Sequence, residues 1–278
     1  MLATLNEVLK YAEEHKCAIG AFNTPNLECI NAVIGTAEKL KVPVIISHAE
    51  LHESVSPLVV TGPVMMLAAK HAKVPVCVHL DHCNHLDYMQ TALDIGFTGV
   101  MYDGSALPYK ENVANTKQAV AMAKKFGANV EAEIGTLATR EGGAGGEDGK
   151  PVYTDPSLAK KFVAETDIDA LAPSFGTAHG IYKAKPMLDF ARVAEIKAQT
   201  GLPLVMHGGS GCSADDYQKA IHNGVRKINY YSYMSREGVR AAQKLLDEQD
   251  VTFFHDVALA AQLAMAADVE RAMKVFST

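Results

Sequence analysis

Eight short apolar or β-branched runs recur along the chain: Ala18–Phe22, Pro43–Ser47, Pro75–Asp81, Thr98–Asp103, Asn129–Ile134, Ala170–Phe175, Pro203–His207 and Val225–Asn229. Several are continuously hydrophobic, such as Val44-Ile45-Ile46 and Leu204-Val205-Met206. Parallel strands covered on both faces read this way, whereas half-exposed antiparallel strands alternate. Helix-like segments lie between them, among them Leu27–Leu40, Leu86–Ile95, Lys110–Phe126, Pro156–Glu165, Leu188–Thr200 and Ala214–Asn223. Pro43, Pro75 and Pro203 are each placed at a first strand residue, where no ladder donor is lost. Eight such units in 278 residues predict an α/β fold, a single-domain (β/α)8 TIM barrel over residues 1–278. The first βα turn, Ala21-Phe22-Asn23-Thr24-Pro25, lacks the glycines that an open nucleotide-binding sheet carries there.

Composition narrows the function classes. Lys and Arg total 26 against 32 Asp and Glu, a net charge of −6, and no basic block occurs. Nucleic-acid and membrane partners are therefore not expected. The five cysteines are scattered and form no C-x-x-C, which argues for a reducing compartment and against a disulfide framework. The N-terminus has no signal-peptide pattern, and the longest apolar segment, Val257–Ala267, is too short to span a bilayer. The expected location is cytoplasmic. Residues Gly135–Gly149 hold six glycines in fifteen residues. Composition reads them as a mobile surface loop, and their place after a strand reads equally as a lid over substrate.

Barrel chemistry sits at the carboxyl ends of the strands. His82, His179 and His207 fall at three such ends, with carboxylates between them. A lone histidine is more often a packed core residue, but three converging ones suit a catalytic metal with an open position. Glu133 is a candidate fourth ligand, and Asp103 a carboxylate behind a ligand or at a second metal position. His79 lies inside its strand and reads as a satisfied interior histidine. Gly208-Gly209-Ser210-Gly211 follows strand seven and precedes a helix starting near Ser213, a pattern suited to phosphate. Gly180 and Asn229-Tyr230-Tyr231-Ser232 lie on the same rim.

The ordered motifs Ala21-Phe22-Asn23, His79-Leu80-Asp81-His82, Glu131-Ala132-Glu133-Ile134-Gly135, Gly176-Thr177-Ala178-His179-Gly180, His207-Gly208-Gly209-Ser210-Gly211 and Lys227-Ile228-Asn229 span nearly the whole chain. Together they resemble the class II, zinc-dependent fructose/tagatose-bisphosphate aldolase family. The resemblance implies reversible cleavage of a ketose phosphate to dihydroxyacetone phosphate and an aldehyde, by a homodimer or homotetramer. It implies one Zn2+ per subunit on His82, His179 and His207, with Glu133 at one metal position and a monovalent cation (Na+ or K+) near the phosphate. Asp81 matches the acid/base acting on the aldehyde-derived hydroxyl. Glu141 matches the loop glutamate that takes the proton from dihydroxyacetone phosphate. Asn23, Gly180, Gly208, Gly209, Ser210 and Asn229 to Ser232 match the sugar-phosphate contacts.

Two features depart from bisphosphate aldolases. Tyr230 and Tyr231 stand where the family carries small or acidic residues, and neither Arg236 nor Arg240 aligns as a second-phosphate clamp. The segment Ser47-His48-Ala49-Glu50-Leu51-His52-Glu53 is not H-E-x-x-H, which rejects a zincin. Ser47, His48 and Glu50 are expected to shape the aldehyde pocket, against the plain reading of a solvated loop start. An unphosphorylated aldehyde is therefore expected. The alternatives are a fructose- or tagatose-1,6-bisphosphate aldolase proper, a Schiff-base aldolase on Lys227, and a non-catalytic subunit of a two-protein aldolase.

Overall fold

The computed structural model describes residues 1–135, 138–139, 153–181 and 186–278. Glu141 and nearly all of the expected loop over residues 135–149 lie outside the described residues. The barrel strands are β1 (Ile19–Asn23), β2 (Val44–Ala49), β3 (Val76–Cys83), β4 (Gly99–Tyr102), β5 (Asn129–Ile134), β6 (Ala170–Pro173), β7 (Leu204–Met206) and β8 (Val225–Asn229). Each pairs in parallel with the next, and β8 pairs with β1, so the sheet closes into an eight-stranded barrel. The helices that position the site are α1 (Leu5–His15), α2 (Leu27–Leu40), α3 (Leu58–His71), α4 (Leu86–Ile95), α5 (Tyr109–Lys124), α6 (Pro156–Thr166), α7 (Phe190–Thr200), α8 (Ala214–His222), α9 (Ser232–Glu248) and α10 (Phe254–Phe276). Among the described residues, no helix is long and apolar enough to cross a membrane.

The three prolines stand one residue before their strands and act only as acceptors. Pro75 O receives Val44 N–H at 3.0 Å, and Pro203 O receives Leu171 N–H at 3.2 Å. Strand alternation divides the apolar residues into two cores. Outward residues such as Ile46, Val78, Val100 and Ile228 pack under the helices. Inward residues Ala21, Ile45, Cys77, Ala170, Ala172 and Val205 join Leu5, Val8, Leu9 and Ala12 of α1, whose apolar face plugs one end of the barrel. Thr4 and Glu7 fix the start of that helix with a capping box. The small inward alanines leave room for a layer of buried polar side chains: His79, Glu131 and Lys227 are each 0% exposed.

One irregularity decides the site. Neighbouring strand residues should face opposite ways. Asp81 and His82 both line the same cavity, because His82 has φ +45° and the β3–β4 register shifts between Leu80 and Cys83. This bulge turns two consecutive side chains toward one centre.

Candidate active site

A cavity of about 500 Å³ opens at the carboxyl rim. His82, His179 and His207 meet there with ligand-capable atoms within 4.8 Å of one another, and His82, Asp103 and Glu133 form an overlapping set. The carboxylates fix the tautomers. Asp103 Oδ2 lies 2.8 Å from His82 Nδ1 and Glu131 Oε1 lies 2.7 Å from His207 Nε2. An ionised carboxylate only accepts, so each of these ring nitrogens donates. His82 Nε2 and His207 Nδ1 then face each other, 2.7 Å apart. Without a cation His82 carries its second proton on Nε2 and donates it to His207 Nδ1, and loss of that proton frees both nitrogens to ligate a metal. His179 Nε2 and Glu133 Oε2 are buried without hydrogen-bond partners. Such a centre calls for a cation.

Electrostatics agree. Burial opposes charge on His82, yet Asp81, Asp103 and Glu133 raise its pKa to about 10. Burial, then His82 and His207, hold His179 down at about 3. Burial, then Asp103, push Glu133 well above the carboxylate range. The surrounding carboxylates favour positive charge at the point where the ring nitrogens converge. Asp103 also accepts Ser105 N–H and Oγ–H through Oδ1, at 3.1 and 2.6 Å. It thus stands behind His82, as one of the two sequence readings has it.

Asp81 is clamped rather than free. Asn23 Nδ2 donates to Oδ2 and Asn229 Nδ2 donates to Oδ1, both at 3.0 Å. Lys227 donates to Asn229 Oδ1 at 2.8 Å, which fixes the amide orientation that turns Nδ2 to Asp81. Burial would raise the Asp81 pKa, but His82, Lys227 and His207 keep it well below the usual carboxylate range. Glu131, absent from the residues selected by sequence, joins His207 to Lys227 Nζ at 2.8 Å and His79 Nε2 at 3.3 Å. Its position two residues before Glu133 on a strand was the available signal, since both must face inward. His79 is thus more than packing.

The phosphate side differs in one respect from expectation. Helix α8 is already capped by Ser213 and Asp216, with Asp215 also in its first turn, so its start is unsuited to an anion. Helix α9 is the open one: Tyr231 supplies no side-chain cap, and no acidic residue occupies the first turn. Gly180, Gly208, Ser210 and Ser232 line the cavity beside it. Ser210 Oγ accepts Tyr231 N–H at 2.9 Å and ties the two loops together. A Cβ on Gly208, at φ +61°, would stand 2.5 Å from Ala178 O, so only glycine fits there. Gly209 carries the turn without lining the cavity, and Tyr217 donates to its carbonyl.

Several expected contacts are not brought together. Tyr230 borders the cavity, but its hydroxyl donates to Asp268 Oδ2 at 2.8 Å, tying β8 to α10. Strand alternation sends it outward and Tyr231 inward. Ser47, His48 and Glu50 do not line the cavity. Ser47 pairs with His79, one layer below Asp81. His48 points outward, its Nε2 2.9 Å from Tyr88 Oη. Glu50 turns away to accept Asn84 N–H at 2.8 Å. Ala49, Leu51 and His52 of that segment line the cavity instead. Arg236 stacks over Tyr233 at 4.2 Å and Arg240 pairs with Glu237 at 2.7 Å, both off the cavity wall.

The class-II fructose-bisphosphate aldolase family model matches residues 3–278. A Staphylococcus aureus protein named fructose-bisphosphate aldolase is 37% identical over 249 residues, covering 88% of this chain and 86% of that protein. A Geobacillus stearothermophilus protein of the same name is 38% identical over 248 residues, with the same coverage of 88% and 86%. The crystal structure of the YdjI aldolase from Escherichia coli K12 superposes with a TM-score of 0.89 at 32% identity, covering 99% of this chain and 97% of that one. With the barrel, the rim histidines and these likenesses in agreement, the chain belongs to the class II fructose-bisphosphate aldolase family, whose members are aldolase lyases.

Proposed function

We propose that the protein is a zinc-dependent aldolase that reversibly cleaves a ketose 1-phosphate to dihydroxyacetone phosphate and an unphosphorylated aldehyde. The observation that carries the metal reading is the pair of carboxylate-oriented imidazoles, His82 Nε2 and His207 Nδ1, converging at 2.7 Å beside the unpartnered His179 Nε2. Three imidazoles with Glu133 at hand suit Zn2+ held by His82, His179 and His207. When bound there, the ion supplies Lewis-acid polarisation of the substrate's carbonyl and hydroxyl oxygens.

The chain's own residues do the rest. In the cleavage direction Asp81 accepts the proton of the hydroxyl that becomes the aldehyde, the carbon–carbon bond breaks, and Glu141 returns a proton to the carbon left on the ketone half. Asn23 and Asn229 hold both Asp81 oxygens, so the carboxylate does not rotate away from that hydroxyl. The open start of α9, with Gly208 and Ser210, holds the phosphate of the ketone half.

The acceptor preference rests on the cavity wall. Among the described lining residues there is no Lys or Arg, and Ala49, Leu51, Ala106 and Tyr231 contribute apolar surface. A second phosphate dianion would find no cationic partner among them. The names of the relatives favour the second reading, a fructose-bisphosphate aldolase. Lys227, engaged with Glu131 and Asn229, does not suit a Schiff-base nucleophile. The intact set of Asp81 and three histidines argues against a non-catalytic subunit. Cleavage of fructose 1,6- and tagatose 1,6-bisphosphate, measured against a panel of ketose 1-phosphates, decides between the substrates. A ketose 1-phosphate turned over with higher kcat/KM is expected; efficient turnover of either bisphosphate with no better monophosphate would refute the preference.

A further inference from the structure

Beyond the strand end of β2, a short 3-10 turn at Glu50–His52 carries His52 to the cavity wall. Ala49, at its base, is in register with Asp81, so the turn rises on the rim next to the proposed proton carrier. The His52 ring leans on Tyr231, with centroids 5.4 Å apart and planes tilted by 60°. Its Nδ1 is buried without a hydrogen-bond partner. An orphaned N–H is rarer and costlier inside a protein than an orphaned acceptor, which places the ring proton on Nε2. Burial keeps the imidazole neutral by lowering its pKa, with Asp81 opposing.

The turn is rigid. His52 O accepts Val55 N–H at 2.9 Å and Ser56 N–H at 2.8 Å. Tyr88 donates its one hydroxyl proton to Glu53 Oε2 at 2.6 Å, and the same carboxylate oxygen accepts Leu58 N–H at 2.8 Å. The Tyr88 oxygen must then accept from His48 Nε2–H, which anchors the turn to β2 from behind. This is the task of His48 that its outward direction leaves it.

We propose that His52, backed by the Tyr231 ring, is the specificity-determining residue of the aldehyde subsite, where its Nε2–H donates to a hydroxyl oxygen of the acceptor. The inference rests on the aldolase reading and deepens it. With the phosphate of the ketone half assigned to the Gly208, Ser210 and Ser232 side by the proposed function, the part of the same cavity lined by Asp81, Ala49, Leu51 and His52 is left for the aldehyde half. The polar side chain met there, among Ala49, Leu51 and Tyr231, is His52. A neutral donor beside an aromatic ring suits an uncharged hydroxyaldehyde.

The test compares two aldehydes that differ by one hydroxyl, glycolaldehyde and acetaldehyde, in condensation with dihydroxyacetone phosphate. The zinc-loaded native protein is expected to favour glycolaldehyde by at least about tenfold in kcat/KM. His52→Phe, which keeps a ring and loses the donor, is expected to reduce that preference to within about twofold. His52→Gln, which restores an N–H, is expected to recover part of it. Proton exchange from dihydroxyacetone phosphate, followed in the same samples, separates the failures. A native protein without exchange overturns the aldolase reading, and this inference with it. Exchange in the native protein, with a preference that survives His52→Phe, overturns the assignment of His52 alone. Loss of exchange and condensation together in His52→Phe makes the residue structural and also overturns it.

Discussion

Replacing Glu131 with Gln isolates what the buried network under the histidines contributes. Glu131 is fully buried, 2.7 Å from His207 Nε2 and 2.8 Å from the Lys227 ammonium, itself 0% exposed. The substitution leaves Lys227 without its ion-pair partner, a change that costs about 3–5 kcal/mol when one member of a buried pair is removed. It also weakens the acceptor that holds the His207 proton on Nε2. A glutamine amide can donate to Nε2 instead and move the ring proton to Nδ1, the atom facing His82. Loss of such an outer partner lowers metal affinity by about 10–100-fold. Urea unfolding of the metal-free protein reads the first effect, and zinc competition against a chromogenic chelator reads the second. The double variant Glu131→Gln, Lys227→Met separates them: most of the stability returns while zinc affinity stays low. A Glu131→Gln protein that unfolds within about 1 kcal/mol of the native one and binds zinc as tightly would refute the reasoning.

Further outcomes follow from the same geometry. His82 is raised from 6.5 to about 10 in the metal-free fold. Its proton therefore stabilises the folded state fully below about pH 6.5, and that contribution, about 5 kcal/mol at most, is lost as pH rises through 10. The thermal midpoint of chelator-treated protein is expected to fall from pH 7 to 10 more steeply than that of zinc-loaded protein; parallel curves would contradict this. Asp81→Asn is expected to lower kcat by about 10²–10⁴-fold while zinc content stays near one per chain, whereas His207→Ala loses zinc and activity together. Elemental analysis with a cleavage assay checks both, and full activity in either variant would count against the assignment. Tyr230→Phe removes the hydroxyl shared by Asp268 and Arg271, and is expected to cost about 1–2 kcal/mol in urea unfolding with kcat/KM unchanged. A specific loss of kcat/KM would instead place the phenol at the substrate.

Much of this arrangement is legible before any coordinates. The short apolar or β-branched runs locate all eight barrel strands. Several are continuously hydrophobic because a strand buried on both faces tolerates little else, whereas Asn129–Ile134 and Val225–Asn229 carry inward polar residues. The three histidines are legible because the fold brings strand ends to one rim. Expectation and structure part where strand alternation or a capping box overrides residue type. Counting in twos from Asn229 sends Tyr230 outward, and counting from Ala49 sends His48 outward. The Ser213-x-x-Asp216 box announces that α8 is capped, which leaves the uncapped start of α9 as the proposed anion site. Asp81 and His82 are different in kind. Alternation predicts that they diverge, and only the left-handed conformation of His82 brings both to the cavity. The residue type signals it only weakly: histidine is among the non-glycine residues enriched at positive φ, yet most histidines are not found there. His52 escaped for a related reason: it sits on a turn beyond the strand, where period-two counting stops.

The central claim, metal-dependent removal of a proton from dihydroxyacetone phosphate at this site, is tested most directly by isotope exchange. The zinc-loaded protein, incubated with dihydroxyacetone phosphate in deuterated water and followed by NMR, is expected to exchange one hydrogen of the hydroxymethyl carbon. Chelation should abolish the exchange and added zinc restore it. No exchange by the zinc-loaded protein, or exchange that persists undiminished after the metal is removed, would contradict the account.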